Sequence, residues 1–248
     1  MSTIFITGAT SGLGQATARI FLENGWKVIG TGRRADRLSS MKESLGENFL
    51  GLCFDIKEKN AVKKAIDSLP ENFAAVTVLM NNAGLFLGNS PVQSASVEDW
   101  EIMVQTNILG LLYCTREILP GMLQRGSGHI VNIGSVTGTR AGRICNVYGA
   151  SKAFVRQFSD NMRADLLGTP IRVTCIEPGR TYTEFSLVHS RGDKEASERD
   201  YAGGEPLQPE DIANTVWWAV NCPQRMNVSK IEVMPTSQAD AGTVFARS

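Results

Sequence analysis

Short apolar runs recur along this chain at 3–7, 27–31, 49–55, 76–81, 129–134 and 171–177, with a weaker one at 230–234. Between them lie stretches whose apolar residues return every three or four positions: 13–25, 35–45, 57–69, 97–125, one from about 146 onward, and 209–220. Strict alternation of this kind calls for right-handed crossovers that bring each strand back parallel to its neighbours. The predicted fold class is therefore α/β, a doubly wound (Rossmann) sheet of about seven parallel strands with helices on both faces. Such sheets bind ligands beyond the carboxyl ends of their strands, near the point where strand order reverses. Function is to be sought in the residues that follow each strand.

No linker, low-complexity run or internal repeat interrupts the 248 residues, and 42% hydrophobic content suits an ordinary globular core, so one domain over 1–248 is expected. Formal net charge is zero, which leaves no basic field to hold nucleic acid or an anionic membrane. Cys53, Cys114, Cys145, Cys175 and Cys222 show no C-x-x-C spacing, and His129 and His189 stand far apart, so neither a metal site nor a disulfide framework is signalled. The opening MSTIFITGAT lacks the charged and apolar regions of a signal peptide, and no apolar run reaches the eighteen or so residues of a membrane span. A cytoplasmic enzyme is expected.

The first strand runs into Thr7-Gly8-Ala9-Thr10-Ser11-Gly12-Leu13-Gly14, which opens the first helix. Glycines there allow a tight turn and let a pyrophosphate reach backbone N–H groups at the positive end of the helix. The spacing is Gly-x-x-x-Gly-x-Gly, and no Lys-Ser or Lys-Thr follows, so the turn is neither the general dinucleotide fingerprint nor a P-loop. After the second strand, where an NAD enzyme usually carries an acid for the ribose 2′-hydroxyl, the chain has Arg33 and Arg34. Two guanidiniums suit a 2′-phosphate, and the expected cofactor is NADP. Asp55, at the end of the third strand, suits either the adenine amino group, with Ile56 beside the ring, or the cap of the next helix.

The fifth strand ends at Ser135, and twelve residues separate it from Tyr148. Tyr148 and Lys152 lie four apart on the following helical pattern, so they rise from one face a turn apart. A free phenol has a pKa of about 10. At about 4 Å and an effective dielectric of about 20, a positive charge is worth roughly 4 kcal/mol to the phenolate, enough to bring the phenol near neutrality. Tyr148 is then a general acid/base, with the Ser135 hydroxyl steadying a substrate oxygen.

With Ser135, Tyr-x-x-x-Lys and this spacing, the chain resembles the short-chain dehydrogenase/reductase family. The run YGASKAFVRQFS resembles more narrowly the bacterial NADP-dependent 3-hydroxy acid (serine, allo-threonine) dehydrogenases. The resemblance implies hydride transfer between nicotinamide and a carbonyl or alcohol carbon. It implies that Lys152 also holds the nicotinamide ribose and that Asn107 bends the long helix and orders a water leading to Lys152. It places the cofactor along Gly8, Thr10, Ser11, Gly12, Leu13, Gly14, Arg33, Arg34, Asp55, Ile56, Asn82, Ala83, Gly84, Tyr148, Lys152, Pro178, Gly179 and Thr183. It also implies a homotetramer built through the two long helices. Asn81 and Gly84 read as braces of the sheet more than as chemistry, and about 185–206 reads as a substrate lid.

The chain departs from the subgroup at the substrate-side loops. Arg140, Arg143 and Arg180 stand where more apolar, aromatic or glycine residues are usual; they suit a substrate carboxylate or a solvated surface equally. A general carbonyl or 3-oxoacyl reductase uses the same catalytic residues, and a non-catalytic NADPH sensor has no need of Ser135, Tyr148 and Lys152 together.

Overall fold

The computed structural model of the chain describes residues 2–202 and 204–239. The ends of the expected 1–248 domain and residue 203 of the expected lid lie outside them. In chain order the elements are β1 (Thr3–Ile6), α1 (Gly12–Glu23), β2 (Lys27–Gly32), α2 (Ala35–Leu45), β3 (Phe49–Cys53), α3 (Lys59–Asp67) and the single turn α4 (Glu71–Ala74). Then follow β4 (Val76–Asn81), α5 (Val97–Val104), α6 (Leu111–Arg125), β5 (Gly128–Ile133), α7 (Asn146–Asp165), β6 (Ile171–Pro178), α8 (Glu184–His189), α9 (Lys194–Tyr201), α10 (Pro209–Asn221) and β7 (Lys230–Val233). The seven strands form one sheet in the order β3-β2-β1-β4-β5-β6-β7, every pair parallel.

Alternate residues of the central strands bury opposite faces, as a sheet covered on both sides requires. Ile4 and Ile6 of β1 join Phe21 of α1 and Ile212 and Val216 of α10 on one face. Phe5, between them, joins Ile118 and Met122 of α6 and Met162 of α7 on the other. Each such side chain, fully buried, contributes about 1.5–3 kcal/mol. Phe21 also meets Trp26 and Trp217 edge-on, both at 5.0 Å, which ties α1 to α10.

Strand order reverses between β1 and β4, so their carboxyl ends open a crevice. Thr7 spans it: its hydroxyl oxygen accepts from the backbone N–H groups of Asn82 at 3.0 Å and Ala83 at 2.9 Å. Behind it a buried polar chain braces the sheet, Asn81 Nδ2 donating to Asn132 Oδ1 at 2.9 Å and Thr115 Oγ1 at 3.0 Å.

The long helix expected over 97–125 is not uniform. Between α5 and α6 the backbone widens into a π turn over Gln105–Gly110, with Asn107 inside it. The cause is tertiary: the Asn107 amide pairs twice with the Leu85 backbone, its Oδ1 accepting from N–H and its Nδ2 donating to C=O, both at 2.9 Å. Gly110 then passes so close to Ile56 that a Cβ there would stand 2.6 Å from Ile56 Cδ1. Among the described residues no helix is long and apolar enough to cross a membrane.

Candidate active site

The glycine turn is shaped by close approach. Gly8 and Gly12 take φ of +68° and +50°, and a Cβ on Gly14 would lie 2.4 Å from the Gly8 carbonyl oxygen. Asn82 fixes the turn from β4, its Nδ2 donating to the carbonyls of Thr7 at 2.9 Å and Gly8 at 3.0 Å. Bare backbone is thus presented at the positive end of α1, which fits a pyrophosphate. Leu13 turns inward against the core of that face. Thr183 stands over the turn: a Cβ on Gly12 would be 3.1 Å from Thr183 Cγ2.

The two arginines after β2 differ. Arg33 is open, its side chain 65% exposed and its nearest carboxylate, Asp55, 3.8 Å away. Arg34 is committed: Nε and Nη2 donate to Thr10 Oγ1 at 3.2 and 2.8 Å, Nη2 to Ser11 Oγ at 2.9 Å, and Nη1 to Glu184 at 2.9 Å. Arg37 reaches the same carboxylate at 2.8 Å. Sequence reading missed Arg37 and Glu184. Arg37 was discoverable, three residues beyond Arg34 and so on one helical face; Glu184, 150 residues from Arg34, carried no local signal.

Asp55 does not cap α3, whose N-cap is Glu58. It closes its own turn, Oδ1 accepting from the Lys57 N–H at 3.0 Å, with Lys57 Nζ 3.7 Å from Oδ2. The Ile56 side chain is buried against Gly110.

Ser135, Tyr148 and Lys152 converge. Ser135 caps the short turn Val136–Gly138, its Oγ accepting from Thr137 N–H at 3.2 Å and from Thr137 Oγ1 at 2.9 Å, and its hydroxyl lies beside that of Tyr148. Lys152 lies with its Nζ 5.8 Å from the centre of the Tyr148 ring and donates to the Ile133 carbonyl at 2.8 Å. The expected near-neutral phenol is overturned. Burial pushes Tyr148 up to about 12 against the opposing pull of the Ser135 hydroxyl, and burial pushes Lys152 down to about 8. Both groups are removed from water, and desolvation of the charged form is the largest cause of each shift.

Asn107 touches the site through neighbours. Its Nδ2, besides Leu85, donates to Ser151 Oγ at 3.0 Å, and Ser151 Oγ donates to the Tyr148 carbonyl at 2.7 Å. Its side-chain amide is therefore engaged with protein groups. Gly84 fits between these parts: a Cβ there would meet Lys152 Nζ at 3.3 Å and Asn107 Oδ1 at 3.4 Å.

Residues 184–201, within and beside the expected lid, form two short helices, α8 and α9, and aromatic side chains of α8 and of the segment after β4 lie over Tyr148. Phe86, after β4, stacks on Tyr148 at 4.7 Å, and His189 of α8 stacks on Phe86 at 4.1 Å. Phe185 tilts over Tyr148 at 5.6 Å. These three were also missed: Phe86 is a lone aromatic in a loop, and Phe185 and His189 sit in a helix of six residues, too short to show a period. Arg191 ties the far end of the lid to Asp99 of α5 at 2.6 Å, beside a cavity of about 280 Å³ that Trp100 and Asn146 help to line.

Of the substrate-side arginines, Arg140 makes a two-pronged pair with Glu232 of β7, both contacts 2.8 Å. Arg143 is exposed. Arg180, half-buried, leaves β6 just after Pro178 and Gly179, and its backbone N–H donates to Gln238 Oε1 at 2.8 Å. Gly179 is held to β7 by its N–H on the Val233 carbonyl at 2.7 Å.

A family model described as short chain dehydrogenase matches residues 2–193. The chain is 50% identical over 246 residues to the NADP-dependent 3-hydroxy acid dehydrogenase of Salmonella typhi, covering 99% of both. It is 49% identical over 240 residues to serine 3-dehydrogenase of Agrobacterium fabrum, covering 97% of this chain and 96% of that protein. Among solved structures, the closed form of serine dehydrogenase complexed with NADP+ superposes with a TM-score of 0.95 at 46% identity, over 99% of this chain and 100% of that one. Serine dehydrogenase from Escherichia coli gives 0.85 at 44% identity, over 96% and 99%.

Proposed function

The chain belongs to the short-chain dehydrogenase family and is an NADP-dependent oxidoreductase, and from that premise we propose that it interconverts a small 3-hydroxy acid and its 3-oxo acid. Serine, allo-threonine and 3-hydroxypropanoate are the substrates of that class to which the reading points. NADP, when bound, supplies the nicotinamide carbon that gives or takes hydride.

The chain's own residues do the rest. The Gly8–Gly14 turn with Asn82, Ala83 and Gly84 behind it cradles the pyrophosphate and adenosine side; Arg33, from the open side, and Arg34 take the 2′-phosphate. Asp55 and the Ile56 backbone border the adenine, while Pro178, Gly179 and Thr183 border the nicotinamide. Ser135 Oγ and Tyr148 Oη bind the reacting oxygen between them. Tyr148, protonated at neutral pH, donates its proton to the oxygen during reduction and must be relieved of it during oxidation. Lys152, at about 8, is largely charged at pH 7 and stabilises the phenolate that reduction leaves behind. Asn107 is a positioning residue that holds the Leu85 backbone and α7 in register. Phe86, Phe185 and His189 exclude water from the hydride path.

The observation that supports the reading is the convergence of Ser135, Tyr148 and Lys152, with Lys152 Nζ 5.8 Å from the Tyr148 ring centre and bonded to the Ile133 carbonyl beside Gly84. NADP-linked turnover screened across serine, allo-threonine, 3-hydroxypropanoate, 3-hydroxybutyrate and simple ketones tests it. Ketone turnover far above that of every hydroxy acid would favour a general carbonyl or 3-oxoacyl reductase, a reading supported by the aromatic roof and by the engagement of Arg140 with Glu232. Arg180, beside the lid, is the candidate for the substrate carboxylate; unchanged acid turnover in Arg180→Ala would remove it.

The chain works as one cytoplasmic domain and assembles as a homotetramer through its long helices, whose outer faces expose Val104 and Leu123. Light scattering on the purified protein measures this, and a monomeric mass would refute it.

A further inference from the structure

The lid begins at a carboxylate that lies on the cofactor's side of the crevice, not the substrate's. Glu184, the first residue of α8, bridges Arg34 Nη1 at 2.9 Å and Arg37 Nη1 at 2.8 and 2.9 Å. All three side chains are about 40% exposed, so the contact is too wet to matter through raw Coulomb energy. Its importance is geometric. The Nε and Nη2 edge of Arg34 is fixed on Thr10 and Ser11, and its remaining corner, Nη1, is fixed by Glu184. The plane of a guanidinium that borders the ribose is thus set jointly by the glycine turn and by the lid.

Charge points the same way. Arg33, Arg34 and Arg37 bring three permanent positive charges to the end of β2 and the start of α2. Glu184 and Asp55 offset two of them, and Asp36 and Lys57 close by offset each other, so the patch keeps an excess of positive charge that suits a phosphate monoester, with Arg33 the most open of the three guanidiniums.

We propose that Glu184 is a positioning residue that couples recognition of the cofactor's 2′-phosphate to seating of the lid. The phosphate adds to the hold on Arg34, Arg34 holds Glu184, and Glu184 seats α8, which carries Phe185 and His189 over Tyr148. The coupling is reciprocal: whatever lid seating gains from the phosphate, phosphate affinity gains from the lid. The inference rests on the NADP reading and not on the choice of substrate.

Adenosine 2′,5′-bisphosphate and 5′-AMP, which carry no nicotinamide, separate this coupling from catalysis. Trypsin cutting at Arg191 and Lys194 reports the lid, and calorimetric titration reports affinity. The unaltered protein should be protected several-fold by the bisphosphate and not by 5′-AMP. Glu184→Gln should lose that protection and bind the bisphosphate about fivefold more weakly, with 5′-AMP unchanged, the low end of ordinary coupling between sites. Arg37→Ala, which removes two of the three contacts to Glu184 and keeps the one from Arg34, should lose part of that protection and guards against a folding defect in the first variant. Equal or tighter bisphosphate binding by Glu184→Gln, or protection that persists in it, would overturn the proposal. Failure of the unaltered protein to prefer the bisphosphate over 5′-AMP would overturn both this and the NADP reading; a failed hydroxy-acid screen would touch neither.

Discussion

Lys152 Nζ donates to the Ile133 carbonyl at 2.8 Å and lies 5.8 Å from the Tyr148 ring centre, so the ammonium supports the phenol from beside the ring without bonding its oxygen. With Tyr148 pushed up to about 12 and Lys152 down to about 8, the two directions of reaction should separate in pH. Reduction uses the protonated phenol and the charged lysine, so its kcat should hold through neutrality and fall above about pH 8. Oxidation needs the phenolate and should climb with pH. One shared inflection near pH 7 in both profiles would restore the acidified phenol. Tyr148→Phe should abolish both rates while NADPH binding, read by its fluorescence, survives.

Arg33 and Arg34 should be distinguishable. Arg33 is open to solvent, and under the proposed reading it meets the phosphate, so Arg33→Ala should raise KM for NADPH about 10–100-fold, the value of one or two charge-assisted hydrogen bonds, with KM for NADH nearly unmoved. Arg34→Ala should add a loss of lid protection, because it also holds Glu184. Initial rates with both cofactors decide it; parallel changes for NADPH and NADH would defeat the assignment.

What was legible in the chain was what local spacing determines. Seven strands, the glycine turn at Gly8, Gly12 and Gly14, and the Tyr148–Lys152 face all follow from periods of two, three or four residues. The π turn was not legible, because it depends on Leu85, 22 residues before Asn107, pulling on its amide. Glu184 and the stack of Phe86 on Tyr148 were hidden for the same reason. The phenol was misjudged because the reading weighed a charge one turn away and had no means of weighing burial, which only the closed roof reveals.

Asn107→Leu keeps the volume and removes the clamp. It strands the Leu85 N–H and C=O in the interior, at about 1–3 kcal/mol for each buried group left unpaired. A midpoint loss of about 5–10 °C is expected for a chain of this size. Because the Ser151 contact to the Tyr148 backbone goes as well, kcat should fall more than KM rises. Scanning calorimetry and steady-state kinetics on one preparation test both, and an unchanged kcat would reduce Asn107 to a purely structural part.

His129, far from the site, should govern the acid limit of the fold. Thr174 Oγ1 donates to the Val228 carbonyl at 2.6 Å, so in its 2.7 Å contact with His129 Nε2 it must accept, which fixes the ring proton on Nε2. Nδ1 has no partner among the described residues, and burial, with Arg172 adding to it, pushes the imidazole down to about 3. Between about 6.5 and 3 the unfolded chain binds a proton here that the folded chain refuses, so stability rises with pH across that window and is lost as pH falls through it. The slope from one group is at most about 1.4 kcal/mol per pH unit. His129→Leu removes the titration and leaves every carboxylate in place, so the difference between the two proteins isolates it. Urea unfolding at pH 7.5 and pH 5.0 should show the parent losing about 2 kcal/mol more than the variant, and equal losses would mean that the imidazole charges freely inside the fold.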